Sequence, residues 1–182
     1  MPTHAAFLRG VNLGPRRRAG SAELRAALEG IGLGEVATVR TSGNLVFAAG
    51  PEPAERLTER IEAGLEEALG FQTKVFVRTA DELRRIAGGE PFPPDLVAAS
   101  KGKLQVSLLD DAPGKKARDQ VLGLATDADR LAFGERELYW LPSGRMRESG
   151  LDLKAIETLL GPATMRTMGT MEQLAAKFFA DD

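Results

Sequence analysis

The stretch Val36-Ala37-Thr38-Val39-Arg40-Thr41-Ser42-Gly43-Asn44-Leu45-Val46-Phe47-Ala48 decides the fold. Two runs rich in apolar and β-branched residues, Val36 to Thr41 and Leu45 to Ala48, flank Ser42-Gly43-Asn44. Gly and Asn tolerate the positive φ of a tight turn, so the stretch predicts a β-hairpin. Upstream, Leu24, Ala27, Leu28 and Ile31 recur at helical spacing, with Ser21 as the expected N-cap and Gly30 and Gly32 as the stop. Downstream, Leu57, Ile61, Leu65 and Leu69 are spaced by fours from a start at Pro53 to a stop at Gly70. Residues 3–9 and Lys74 to Arg78 read as strands on the outer sides of these helices. The order over residues 1–79 is β-α-β-β-α-β, the split βαβ arrangement of ferredoxin-like domains.

The same order recurs further along the chain. Asp81 to Ala87 reads as a short helix, and the Gly/Pro-rich stretch to Lys103 as a connector. Leu104 to Leu109 then predicts a strand, Lys115 to Leu124 a helix, and Arg130 to Phe133 with Leu138 to Leu141 a hairpin around Gly134-Glu135. A helix over Leu151 to Leu160, a short strand over Thr164 to Thr167 and a closing helix over Thr170 to Phe179 complete the pattern. The expected fold class is therefore α+β. Two ferredoxin-like halves with antiparallel sheets, residues 1–79 and 104–182, are joined by a connector at 80–103, and the second ends in an extra helix. The duplication rests on element order, since the halves share no residue-level repeat.

Composition narrows the chemistry. Of 182 residues, 43% are hydrophobic and 27% charged, as in an ordinary globular chain. The formal net charge is -2, which disfavours a dedicated nucleic-acid binder, whose affinity comes largely from neutralising phosphates. Arginine outnumbers lysine, a bias that whole-genome composition explains most simply. Absence of cysteine removes disulfides, thiolate catalysis and thiolate-held metals. His4 is the single histidine, which leaves little material for a triad or a histidine metal site. Asp110 with Asp111, and Asp127 with Asp129, read as solvated turns, so no metal and no cofactor is expected. No apolar run reaches the length of a bilayer span, and the N-terminus lacks a signal-peptide core. The expectation is a cytoplasmic protein without a membrane partner. Oligomeric state stays open.

Topology supplies the one functional lead. In this strand order the first and second strands run in the same direction. The end of strand one, the hairpin turn and the start of the first helix then share one end of the sheet. That juxtaposition gathers Arg9, Gly10, Asn12 and Gly14, the basic run Arg16-Arg17-Arg18, and Ser42, Gly43 and Asn44. Glycines admit close approach of backbone amides, helix starts favour negative charge, and guanidinium groups offer forked donors. The combination suits an anionic small molecule carrying phosphate or carboxylate. A plainer reading stands beside it: Ser42-Gly43-Asn44 as turn chemistry, the arginines as a solvated loop, and Asn12 bonded to its own loop backbone. A nucleic-acid module using the Arg-rich loop and a non-catalytic interaction domain are the alternatives. No residue stands out as a general base, which leaves open whether the protein is an enzyme.

The run Phe7-Leu8-Arg9-Gly10-Val11-Asn12-Leu13-Gly14, followed by Ser42-Gly43-Asn44 and Val46-Phe47, resembles the bacterial family catalogued as domain of unknown function 1697. The similarity extends along the chain to a segment that in this family has the form Thr-x-Arg-Asn-Trp-Asn-Thr. Here Thr164, Arg166 and Thr170 match, while Thr167, Met168 and Gly169 replace Asn, Trp and Asn. The resemblance implies the duplicated ferredoxin-like fold, adds Arg166 as a candidate ligand contact, and brings no activity with it.

Overall fold

A computed structural model describes residues 1–12, 14–40 and 43–180. The chain divides into two compact units, Met1–Arg85 together with the stretch from Gln173 onward, and Ile86–Glu172.

The first unit is built from β1 (His4–Leu8), α1 (Ser21–Gly30), β2 (Gly34–Val39), β3 (Asn44–Ala48), α2 (Ala54–Leu69) and β4 (Val75–Thr79). Its sheet has the order β2-β3-β1-β4. β1 runs antiparallel to both neighbours, with His4 opposite Phe47 and Leu8 opposite Val75. Alternation along each strand sends one set of side chains toward the helices. Ala6, Leu8, Leu45, Phe47, Val75 and Val77 pack there with Leu24 and Leu28 of α1 and Leu57, Ile61 and Leu65 of α2. The opposite set, Ala5, Phe7, Val46 and Phe76, is also buried, as is the Arg78 side chain. Arg78 donates to the Val77 carbonyl at 2.9 Å. α2 carries Gly64 in its interior, where helix propensity would prefer alanine. A Cβ at that position would lie 2.7 Å from Cγ2 of Ile31, so the glycine is what lets the end of α1 come close to α2.

The helix starts differ in detail from their expected form. Ser21 is the first helical residue rather than the cap. Gly20 is the N-cap, and its amide is taken by the Glu23 carboxylate at 2.8 Å. The reason is local: Glu23 sits at the third helical position, from which an acidic side chain reaches back to the cap amide. Pro53 caps α2 instead of lying inside it, and Gly70 ends that helix in the left-handed conformation, φ 76°.

α3 (Ala80–Ala87) follows β4 directly, and α4 (Pro94–Ala99) occupies part of the stretch read from sequence as a connector. Pro94 accounts for the error: at the first helical position its missing N–H costs nothing, so the residue starts a short helix instead of preventing one. The second unit continues with β5 (Gln105–Leu109), α5 (Lys115–Leu122), β6 (Asp129–Phe133), β7 (Glu137–Pro142), α6 (Leu153–Leu160) and β8 (Ala163–Thr167). Its sheet order is β6-β7-β5-β8, which repeats the first sheet position by position. The fold is α+β, two ferredoxin-like halves with antiparallel sheets, closed by helix α7 (Met168–Phe178).

One detail of the second unit corrects the sequence reading. Asp129 is not in a solvated turn. It is 4% exposed and accepts hydrogen bonds from the Trp140 indole N–H at 2.8 Å and the Ser149 hydroxyl at 2.7 Å. An indole buried in a sheet needs an acceptor, and the adjacent strand supplies one. Tyr139 and Trp140, on opposite faces of β7 by alternation, are both buried.

Candidate functional site

One end of the first sheet is where β1 finishes, β3 begins and β4 begins. Backbone hydrogen bonds join the three there. Leu8 N donates to Gly43 O at 2.9 Å, and Arg9 N donates to Lys74 O at 2.9 Å. Gly43 has φ 74°, and a Cβ on it would stand 3.0 Å from the Leu8 Cβ, so the turn passes too close to β1 for any side chain. The turn chemistry foreseen for Ser42-Gly43-Asn44 thus has a definite role at Gly43. Asn44 is buried, and its side-chain amide donates to Val39 O at 3.1 Å, pinning the two hairpin strands. Ser42 lies outside the described residues.

The loop between β1 and α1 is held from within. Asn12 adopts φ 61°, a conformation asparagine tolerates better than most residues. Its side chain forms a two-way clamp with Ala19: Ala19 N donates to Oδ1 at 3.0 Å, and Nδ2 donates to Ala19 O at 3.2 Å. The Asn12 amide also donates to Arg17 O at 2.7 Å. Arg17 reaches out of the loop, donating to Gln72 O at 2.7 Å while its guanidinium stands 5.6 Å from the centre of the Phe71 ring. A Cβ on Gly10 would come within 3.1 Å of that guanidinium. Gly14 is half-buried beside the run of arginines.

The described residues of the β1–α1 loop and the hairpin lie at this end of the sheet with divided duties. Asn12, Arg17 and Asn44 hold the loops through hydrogen bonds, and Gly10 and Gly43 allow close approaches. Arg16 and Arg18 are exposed on the same loop, and Arg9 is half-buried at the strand end. The start of α1 is already served by the Glu23 carboxylate, which lessens its pull on an outside anion. Arg166 belongs to the second unit. It donates to Thr164 Oγ1 and to the Met165 carbonyl, both at 2.8 Å, and burial pulls its guanidinium down to about 10.

Sequence reasoning missed the third segment at this end, residues 70–74. Gln72 and Lys74 carry no motif, but topology could have found them, because an antiparallel β4 must start where β1 stops. The Gln72 side chain also donates to Glu66, and the Glu62 carboxylate accepts the Val75 amide at 2.8 Å. Glu59, Glu62 and Glu66 line a cavity of about 390 Å³ with Gln72, Thr73 and Lys74. Buried Thr73 leaves its hydroxyl without a partner among the described residues. The 70–74 segment thus separates an acidic helix face from the basic loop.

His4, at the other end of β1, stacks on Phe47 with ring centres 5.7 Å apart. Its imidazole is held below the ordinary histidine range by desolvation, against the opposing pull of Glu82 and Glu52. Among the described residues, no group of three His, Asp or Glu side chains is placed to hold a metal ion, and no helix is long and apolar enough to cross a membrane.

With this geometry in place, comparison with known proteins is informative about kinship. The family described as "Protein of unknown function (DUF1697)" matches residues 1–139. The chain belongs to that family. The match takes in the whole Arg9–Asn44 constellation and ends within β7. No curated protein matches the chain. A solved structure of a conserved bacterial protein from Streptococcus pneumoniae is similar at 18% identity, with a TM-score of 0.76 over 97% of each chain. At that identity the likeness establishes the fold. Thr167 lies beyond the matched residues. The Thr167 hydroxyl lies 3.1 Å from that of Thr170 and accepts the Thr170 amide at 3.3 Å, so it caps the start of α7.

Proposed function

We propose that this DUF1697 protein binds an anionic small molecule, bearing phosphate or carboxylate, at the β1 end of the first sheet. The observation that carries the reading is the meeting of three segments, around Arg9, Gly43 and Lys74, tied together by backbone hydrogen bonds. Arg9, Arg16 and Arg18 are the charge-bearing contacts, with Arg17 and Asn12 holding the loop that presents them. Rigid placement matters here, because the Asn12 clamp and the Arg17–Gln72 bond lower the ordering cost a ligand would otherwise meet. Guanidinium groups pair with planar or tetrahedral oxyanions through two donors at once, and desolvated charge-assisted bonds are stronger than neutral ones.

Thermal unfolding in the presence of phosphate, pyrophosphate, nucleotides, sugar phosphates and citrate tests the proposal. A ligand at 100 times its Kd adds about 2.7 kcal/mol, which for a chain of this size raises Tm by roughly 5–11 °C. The Arg16→Ala/Arg18→Ala double variant and Arg9→Ala should each keep the unliganded Tm within a few degrees and lose most of that rise. No shift with any anion, or a full shift in both variants, rejects the site.

A further inference from the structure

The second unit contains a half-open apolar cavity that the anion reading does not use. It lies between the helix-facing side of the second sheet and α6, with a volume of about 190 Å³. Leu109, Leu138, Ile156, Leu160 and Met165 form its apolar walls, and Leu153, 45% exposed, stands at its rim. Two polar residues interrupt that lining. Ser107, on the central strand β5, is 7% exposed, and its hydroxyl has no hydrogen-bond partner among the described residues. Glu157, on α6, is the single ionisable residue of the lining and is solvent-exposed.

We infer that this cavity binds a compact one-ring molecule bearing a hydroxyl or amino group, uncharged or cationic, with its polar group on Ser107. Size sets the first limit. An apolar cavity of about 150 Å³ lined by Leu, Ile and Phe accepts benzene, so about 190 Å³ holds one ring with a small substituent and excludes a nucleotide. The Ser107 hydroxyl sets the second. It faces this half-open cavity, so a ligand that displaces water from it must replace the lost hydrogen bond, and one that brings a partner gains over its apolar isostere. The Glu157 carboxylate sets the third, since it repels a carboxylate ligand and attracts an ammonium. These preferences are opposite in sign to those of the Arg-bearing end of the first sheet.

The molecule carries its own reporter. Trp140 is the only tryptophan in the chain and belongs to the same apolar cluster as Leu138 and Ile156, against which Leu160 and Met165 pack. Titration of the full-length protein with phenol, toluene, benzylamine and benzoate, followed by Trp140 fluorescence and by thermal shift, is the experiment. Phenol and benzylamine should give saturable changes, phenol should bind roughly fivefold more tightly than toluene, and benzoate should be the weakest. Ser107→Ala should erase the preference of phenol over toluene while leaving toluene bound. Glu157→Gln should narrow the gap between benzylamine and benzoate. Ala163→Leu, which fills the cavity, should abolish all four signals; a loss of folding in that variant leaves the Ser107→Ala comparison decisive. The inference is overturned if none of the four ligands saturates, or if Ser107→Ala keeps the phenol preference.

Discussion

The two halves repeat one wiring diagram and differ at the same end of it. In the first, Leu8 N donates to Gly43 O across the hairpin turn; in the second, Leu109 N donates to Arg136 O, each at 2.9 Å. After that shared bond the chains diverge. Residues 9–20 form a long loop with four arginines, clamped by Asn12. Residues 110–114 form a short one containing Asp110 and Asp111. Topology thus fixes where two loops and a helix start meet, and the loop inserted there fixes the charge they present.

The comparison can be broken most forcefully at the core. Phe47 is fully buried between β3 and the helices of the first unit. Phe47→Ala should cost ~3–5 kcal/mol in urea unfolding followed by far-UV circular dichroism. A loss under about 1 kcal/mol would mean that the first half draws little of its stability from this core.

A smaller effect separates the two loops. Asn12→Ala removes both clamp bonds and places alanine at positive φ, so a loss of about 1–3 kcal/mol is expected. Asp111→Ala, on the exposed loop of the second half, should stay within about 0.5 kcal/mol. Equal costs from the same unfolding measurement would show that the long loop is no more ordered than the short one.

The smallest effect is a pH dependence confined to the first half. The folded-state pKa of His4 lies below its unfolded value, so the unfolded chain binds the proton more readily. Its contribution to stability is fully present above about pH 6.5 and is lost as pH falls from there toward the folded value. Urea midpoints measured from pH 7.5 to 5 should drop less in His4→Gln than in the wild type. Parallel curves would show that burial of this imidazole has no energetic consequence.

Much of this was readable in the residues. Helical spacing of Leu24, Leu28, Leu57, Ile61 and Leu65, and the hairpin around Gly43, are local signals, and each of these side chains is buried as its period requires. The convergence of Arg9 with Gly43 followed from strand order alone. What stayed hidden depends on pairings distant in sequence. No local pattern tells that Arg17 would bond Gln72, 55 residues away, or that Asp129 would be the acceptor for Trp140. A short helix after Pro94 was missed because proline reads as an interruption until its position in the first turn is known. The Gly20 cap was missed because serine is the better capping residue by type, while the Glu23 carboxylate decided the matter from one turn on.

Helix α7 has a consequence for the order in which the molecule is completed. It starts in the second unit, but from Gln173 onward the chain belongs to the first. There Arg40 donates twice to the Gln173 side chain, at 3.0 and 2.8 Å, and Arg84 donates to the Phe179 carbonyl at 2.6 Å. Those partners are separated by 133 and 95 residues. A ribosome working at about 5–20 residues per second releases the strands of the first half and then needs on the order of ten seconds to deliver its last piece. During that interval the first half is an unfinished object, and Arg40 and Arg84 await their α7 partners. The final turns of α7 are thus the stitch that completes the first unit, however early its strands are made.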